Sequence, residues 1–218
     1  IRMKDGNMKE FKGHGNIGLL SSKISLEGPI KEDKTSFMVS GRRSYVDLLM
    51  RPISSAMSDG NSSFGYHFYD LNAKVNHKFS GKNRLFLSFY MGDDRTSATN
   101  DYDNGKSRLL TAWGNLLTSL RWNHVFSNDL FGNFTANFTR YRFKIEQEQN
   151  IQSADNYLQY KSNVRDWSLS ADFDYNPSDK HDVRFGAKGI YHIFRPGVTN
   201  YESNQTDVNF SSDRYESP

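Results

Sequence analysis

Alternation of apolar and polar side chains between Phe68 and Met91 constrains the fold more than any other feature of this sequence. Successive side chains of a β-strand point to opposite faces, so a period of two indicates a strand. Residues 80–83 form a polar turn, after which the apolar residues repeat on the way back, which predicts a β-hairpin. The apolar face carries Tyr69, Leu71, Ala73, Val75, His77, Phe79, Leu85, Leu87, Phe89 and Met91. The intervening face carries Asp70, Asn72, Lys74, Asn76 and Lys78.

The charge on the second face leaves two interpretations of this hairpin. A soluble β-sandwich would show the charged face to bulk water and pack the apolar face into its core. An outer-membrane barrel would turn the charged face to a water-filled lumen and the apolar face to lipid.

Composition limits the function classes without deciding between the two. Only 36% of residues are hydrophobic, but 14% are aromatic, with 16 Phe and 12 Tyr, which excludes a disordered chain. The net charge of +3 is interspersed, which argues against a nucleic-acid partner. The absence of cysteine excludes a disulfide scaffold. No apolar run is long enough for a transmembrane helix, and the N-terminus lacks the features of a signal peptide.

Further alternating segments predict eight strands in four hairpins. They lie near 15–26, 37–42, 68–79, 84–91, 112–123, 133–139, 166–175 and 183–193. Short turns are expected near 29–34, 80–83, 127–129 and 177–181. Long loops are expected near 47–66, 93–107, 146–163 and 196–218. Strict alternation of short turns and long loops is typical of a membrane barrel, because its periplasmic turns are tight and its extracellular loops are long.

Five segments of the sequence together carry a family resemblance. They are Arg2-Met-Lys-Asp-Gly-Asn7, Gly18-Leu-Leu-Ser-Ser-Lys23, Leu26-Glu-Gly-Pro29, Ser36-Phe-Met-Val-Ser-Gly-Arg-Arg-Ser-Tyr45 and Phe68-Tyr-Asp-Leu-Asn-Ala-Lys-Val-Asn-His-Lys-Phe79. These segments resemble TonB-dependent outer-membrane receptors, in the subgroup that carries a carboxypeptidase-regulatory-like N-terminal domain. The resemblance covers residues 1–95 well and the remainder mainly by pattern.

The resemblance implies an all-β fold, a transmembrane antiparallel up-and-down barrel of about 22 strands with a plug in its lumen. About eight of those strands would lie in this chain. Residues 1–12 would be the plug exit segment and linker, and residues 13–218 a partial outer-membrane barrel whose four long loops are extracellular. We expect the plug and the C-terminal strands to belong to a longer protein.

The implied function is active uptake of a scarce ligand of the siderophore, glycan or peptide class. The protein would be a multi-pass barrel in the outer membrane of a Gram-negative bacterium. Its expected partners are outer-membrane lipid, the TonB complex through the plug, a surface lipoprotein and the nutrient ligand. We expect no enzyme activity, cofactor, catalytic residue, metal site or nucleic-acid partner. The long loops would carry recognition, and the sequence assigns no individual ligand-binding residue.

Several motifs in the sequence could indicate other kinds of site. Residues 13–18 match a G-x-G-x-x-G dinucleotide pattern, but a strand rather than a helix is expected after them, so we interpret the glycines as a strand entry. We interpret Asp93, Asp94, Asp101 and Asp103 as a solvated acidic loop rather than a calcium site. The spacing of the histidines shows no metal or catalytic pattern. They are His14, His67, His77, His124, His181 and His192.

Two sets of residues are assigned to the faces of the expected barrel. A charged set would lie on the lumen face, as plug contacts and lumen hydration rather than a substrate path: Asp70, Lys74, Lys78, Arg84, Arg121, Asp166, Asp172, Asp174, Arg184 and Lys188. An aromatic set would form the girdles at the membrane interfaces: Tyr69, Phe79, Phe89, Trp122, Trp167 and Tyr175.

Two alternatives stay open. One is a complete eight-stranded outer-membrane protein, acting as an adhesin or a lipid-modifying enzyme. The other is a soluble extracellular β-sandwich that binds glycans. The sandwich places a test set of side chains in a dry protein core, and the barrel places the same set against lipid. The test set is Leu71, Val75, Leu85, Phe89, Phe134 and Phe138.

Overall fold

The computed structural model describes residues 4–152, 154–178, 180–204 and 210–212. These residues form one antiparallel sheet of ten strands in which each strand pairs with the next one along the chain. The strands are β1 (Lys12–Ile17), β2 (Ser21–Lys31), β3 (Thr35–Ser44), β4 (Ser62–Lys78), β5 (Asn83–Tyr102), β6 (Gly105–Val125), β7 (Leu130–Ile151), β8 (Ala154–Ser178), β9 (His181–Ser203) and β10 (Phe210–Ser211). One helix, α1 (Val46–Met57), lies between β3 and β4. The predicted all-β, up-and-down architecture is therefore confirmed.

Strands β4 to β9 are 17 to 25 residues long and are paired along almost their whole length. The register is continuous from β4 to β8, and β8 and β9 contain two irregularities where they pair. Backbone amides and carbonyls of these strands are thereby hydrogen-bonded across the sheet.

The first predicted strand is wrong, because the structure has two strands where the sequence indicated one. The chain reverses after Ile17, and the Gly18 amide donates to the Ser21 carbonyl at 2.9 Å. Strand β1 therefore pairs with β2 in a hairpin. The period-two pattern continues across the turn between them, so the sequence did not indicate this hairpin. Two consecutive leucines at 19 and 20 sit in this turn, and both are exposed.

The expectation of long irregular loops at 93–107 and 146–163 is also wrong. Residues 93–102 continue β5, and only Asp103 and Asn104 form the turn to β6. Strands β7 and β8 likewise extend to Ile151 and from Ala154. These stretches look like loops in the sequence because they are polar on both faces. Ladder hydrogen bonds join backbone groups, so a strand continues through polar side chains once its neighbours are in register.

The other two expected loops are only partly irregular. Residues 196–203 belong to β9, whereas 205–209 and 213–218 lie outside the described residues. The connection at 47–66 holds α1, whose Leu49, Ile53 and Met57 recur every four residues. Among the described residues, no helix is long and apolar enough to cross a membrane.

Burial across the sheet is the reverse of that in a soluble β protein. Met38 and Phe86 are the buried hydrophobic residues of the described chain, whereas Lys74 and Asn76 are among the buried polar ones. Large hydrophobic side chains are instead exposed on the other face, including Ile24, Leu26, Val39, Val75, Leu87, Leu120, Trp122, Leu169 and Phe185. No member of the test set from Leu71 to Phe138 is buried, so the dry core that the sandwich alternative expects there is not found.

Candidate functional site

The sheet has a polar face, the side that carries Lys74, Phe86, Arg121 and Lys188, and an apolar face, the side that carries Val75, Leu87 and Leu120. Cross-strand register fixes the two faces, since Lys74 lies opposite Ser88 and Val75 lies opposite Leu87. A cavity of about 860 Å³ opens against the polar face. Its walls come from strands β4 to β9 and from the N-terminal segment, and they include Lys4, Asp5, Lys74, Phe86, Ser88, Tyr90, Leu117, Arg121, Asp166, Ser168 and Lys188.

The charged set predicted to share one face does so. Register places all ten members on the polar face, with Lys78 opposite Arg84 and Asp174 opposite Arg184. Four of them line the cavity: Lys74, Arg121, Asp166 and Lys188. Their contact with a plug stays a prediction.

Phe86 occupies the centre of the charged region and was missed as a site residue. Its side chain is 4% exposed. The Arg121 guanidinium carbon lies 4.5 Å from the ring centroid, Lys74 Nζ lies 5.3 Å away, and the Arg84 guanidinium carbon lies 6.0 Å away. An aromatic face attracts cations, so the ring holds three positive groups near one another, of which Lys74 and Arg121 line the cavity. The run Leu85-Phe86-Leu87, which interrupts the alternation, was the available signal.

The N-terminal segment from Lys4 to Met8 lies on the polar face. Asp5 forms an ion pair with the buried Lys74, and Lys4 Nζ lies 2.7 Å from the carboxylate of the buried Glu27. Ser36 Oγ donates to the Gly6 carbonyl at 2.7 Å. A Cβ atom at position 6 would overlap the Phe37 carbonyl, so the backbone approaches closely only because residue 6 is glycine. The segment therefore fills part of the polar side of the sheet.

Aromatic and acidic side chains meet on the same face, farther from the short turns. Tyr66 donates a 2.7 Å hydrogen bond to Asp94, and its ring stacks on Trp113 with centroids 6.5 Å apart. Burial, the hydrogen bond to Asp94 and the charge of Asp94 raise the pKa of Tyr66 to about 12. Neighbouring Phe68 lies under the Arg42 guanidinium, 4.8 Å from its centroid. This group, called here the aromatic–acid group, offers flat rings for stacking beside charged hydrogen-bonding groups.

The four aspartates expected in an acidic loop are separated. Asp94 bonds Tyr66 on the polar face, whereas Asp93 is buried on the opposite face beside Arg95 and Arg142. Asp101 pairs with Lys106 at 3.1 Å, and Asp103 lies in the β5–β6 turn. Strand alternation, which the loop interpretation overlooked, sends neighbouring carboxylates to different sides.

The histidines also do not gather, because four of the six hydrogen-bond to different neighbours and a fifth faces a separate carboxylate. His77 bonds Thr35, His124 bonds Asn83, His181 bonds Ser178 and His192 bonds Asp166, while His67 faces Asp47 at 3.8 Å. Among the described residues no group of three or more His, Cys, Asp or Glu side chains could hold a metal ion. The glycines at 13–18 lie in β1 and the turn after it, so no helix N-terminus adjoins them.

Five of the six aromatic residues assigned to the girdles lie on the apolar face, while Phe79 follows the end of β4 and its ring contacts that of His77, with centroids 4.3 Å apart. Register places Trp122 opposite Leu85 and Phe134, and Trp167 opposite Phe138, all on that face. Ring contacts connect them, with 5.2 Å between the Trp122 and Phe134 centroids and 4.6 Å between those of Phe138 and Trp167. Their depth in a membrane stays a prediction.

No protein-family model, no curated protein and no solved structure matches this chain. The functional argument therefore depends on the geometry of the two faces.

Proposed function

We propose that this chain is the N-terminal part of the barrel of a TonB-dependent active transporter in a bacterial outer membrane. The observation that carries the proposal is the reversed burial of the two faces. In an outer-membrane barrel, the exposed side chains of Val75, Leu87 and Leu120 would contact the hydrocarbon of the bilayer. Lys74 and Arg121 would face a hydrated lumen.

Strand length supports a barrel that extends beyond the membrane. A transmembrane strand needs about 9–11 residues. Strands β4 to β9 have 17 to 25 residues, and the excess lies at the end opposite the connections near residues 80 and 127. On the apolar face this excess is polar and charged, beginning at Asp93 in β5 and Arg140 in β7. The extended ends therefore suit the extracellular side, where strands can project beyond the bilayer, and the ends near residues 80 and 127 suit the periplasmic side.

The position of the N-terminal segment supports a plugged barrel. Residues 4–8 bond to the polar face through Asp5, Gly6 and Lys4. A chain that leaves a plug inside the lumen has to reach the first barrel strand along this face.

The aromatic–acid group supports uptake of a ligand from the outside. Tyr66, Trp113 and Asp94 lie on the lumen side of the long strand ends, where a ligand would arrive. Stacking on the rings and hydrogen bonds to the carboxylate suit glycans, peptides and aromatic siderophores alike. We propose a ligand from one of these classes, recognised before the plug is displaced with energy delivered by TonB.

The test is the mass of the native protein extracted from outer membranes in mild detergent. We expect a species several times the 25.1 kDa of this chain, and uptake of its copurified ligand should stop when TonB is deleted. A species of about 25.1 kDa that stays in detergent would indicate a small barrel instead. A protein that needs no detergent would exclude the membrane barrel.

A further inference from the structure

Five basic side chains lie together on the apolar side of the sheet, directly beyond the hydrophobic residues. We call them the basic cluster: Arg140, Arg142 and Lys144 of β7, and Lys161 and Arg165 of β8. Register places them on the same side as Phe138 and Trp167. Arg140 is two residues from Phe138 along β7, and Arg165 is two residues from Trp167 along β8. This side of the sheet therefore changes from apolar to basic over two residues of each strand.

The basic cluster contains like charges that face each other. Arg140 lies directly opposite Arg165, and Lys144 lies directly opposite Lys161. Like charges at directly opposed sheet positions destabilise the pair. Arg142 has Asp93 as a partner, and Lys144 Nζ lies 2.6 Å from Glu146. Within the described part of the chain, Arg140, Lys161 and Arg165 have no carboxylate at ion-pair distance. An anion bound between the strands would relieve this repulsion.

An apolar groove of about 570 Å³ adjoins the basic cluster on the same side. Its walls include Leu120, Phe138, Trp167 and Leu169, and its floor includes Gly189. A Cβ atom at Gly189 would meet nothing within 4 Å, so the groove is open at that point. Its largely apolar lining suits hydrocarbon chains, and its walls at Phe138 and Trp167 lie two residues along β7 and β8 from Arg140 and Arg165.

We propose that this surface binds one acidic lipid of the surrounding membrane, with its phosphate on the basic cluster and its acyl chains in the groove. The inference rests on the proposed function, because it needs the apolar face to lie in a bilayer. A guanidinium offers paired N–H donors that match phosphate oxygens, so Arg140 and Arg165 together suit a phosphate monoester. Anionic headgroups attract basic side chains at the membrane surface, where their charge is screened less than in bulk water.

The test is native mass spectrometry of the detergent-solubilised full-length protein titrated with dimyristoyl phosphatidic acid. Dimyristoyl phosphatidylcholine, with the same acyl chains, controls for apolar binding. We expect phosphatidic acid to bind selectively, and the double variant R140Q/R165Q to bind it about thirtyfold more weakly. The same double variant should be at least as heat-stable as the parent protein without lipid, since it removes the like-charge pair.

Two further variants complete the design. Arg108 lies on the same side of the sheet but farther from the groove, 3.8 Å from Glu148, and R108Q should bind phosphatidic acid normally. G189L fills the groove without touching the basic cluster, so it should also weaken binding. Phosphatidic acid binding unchanged in both R140Q/R165Q and G189L would overturn the inference. Binding of phosphatidylcholine as tight as that of phosphatidic acid, or full competition by inorganic phosphate alone, would overturn it too.

Failure of this inference is distinguishable from failure of the proposed function. If the protein is extracted in detergent but the substitutions leave its binding of phosphatidic acid unchanged, only the lipid site is contradicted. A protein that stays in solution without detergent would contradict the membrane barrel and the lipid site together.

Discussion

Lys74 and Val75 are consecutive residues of β4 with reversed exposure, the lysine 6% exposed and the valine 36%. Lys74 pairs with Asp5 and lies over the Phe86 ring, while Val75 lies opposite Leu87 on the open side. Burying a charge is costly unless it is paired or hydrated, and exposing valine to water is unfavourable. Both placements become favourable when the open side faces lipid and the covered side faces a hydrated lumen.

Leu87→Arg tests the apolar face directly. Leu87 lies near the middle of the apolar face, and a charge at the bilayer midplane of a barrel costs about 2–4 kcal/mol. We therefore expect the free energy of unfolding in lipid vesicles to fall by about that amount. The measurement is reversible denaturant unfolding of the bilayer-inserted protein.

Leu117→Arg is the matched control for Leu87→Arg. Leu117 lines the cavity on the polar face, so the same substitution should be much less costly there. Equal losses for the two variants, or no loss for Leu87→Arg, would contradict the face assignment.

Gly6→Ala tests the docking of the N-terminal segment. The added Cβ would overlap the Phe37 carbonyl, and such overpacking costs about 1–3 kcal/mol. We expect the segment to leave the polar face more often, so that proteolysis near Lys4 and Lys9 becomes about tenfold faster. Gly15→Ala, where a Cβ meets nothing within 4 Å, should leave proteolysis unchanged. Resistance of the Gly6→Ala protein would contradict the contact.

Tyr66→Phe should alter the response of the protein to alkaline pH. Because the pKa of Tyr66 is raised to about 12, the folded protein holds this proton more tightly than the unfolded chain, where tyrosine has a pKa of about 10. Its contribution to stability is complete below pH of about 10 and is lost as the pH rises to about 12. Burial also raises the pKa of Tyr157, so tyrosinate absorbance should show more than one late-titrating phenol, and Tyr66→Phe should remove one of them. An unchanged titration curve would contradict the Tyr66–Asp94 contact.

Phe86→Ala should be more damaging than Phe89→Ala. Phe86 is buried among three cations, so truncation leaves a cavity and costs about 3–5 kcal/mol. Phe89 lies on the apolar face, where lipid can fill the vacated space. Unfolding in vesicles measures both, and a larger loss for Phe89→Ala would contradict the assignment of Phe86 to a packed lumen wall.

Side-chain alternation predicted which residues share a face but not where the strands end. The pattern from Tyr69 to Met91 was sufficient because apolar and polar side chains alternate there at almost every step. Beyond Asp93 in β5 and beyond Ile145 in β7 both sides are mostly polar, so no such contrast marks the strand, and its continuation depends on register with the neighbours.

One contact of the candidate site and one element of the fold were hidden for other reasons. The pairing of Asp5 with Lys74 joins positions far apart in the chain, which local periodicity does not encode. Helix α1 contains Pro52 and is followed closely by Gly60, and both residues favour a loop interpretation although Leu49, Ile53 and Met57 keep a helical spacing.

The tryptophans of this chain provide the most direct test of the central claim that the apolar face contacts lipid. Trp122 and Trp167 lie on the apolar face, whereas Trp113 stacks on Tyr66 on the polar face. The measurement is fluorescence quenching by lipids with brominated acyl chains in the vesicle-inserted protein and its single Trp→Phe variants. We predict that W122F and W167F each remove a strongly quenched component, while W113F removes an unquenched one. Quenching confined to Trp113, or equal for all three, would contradict the account.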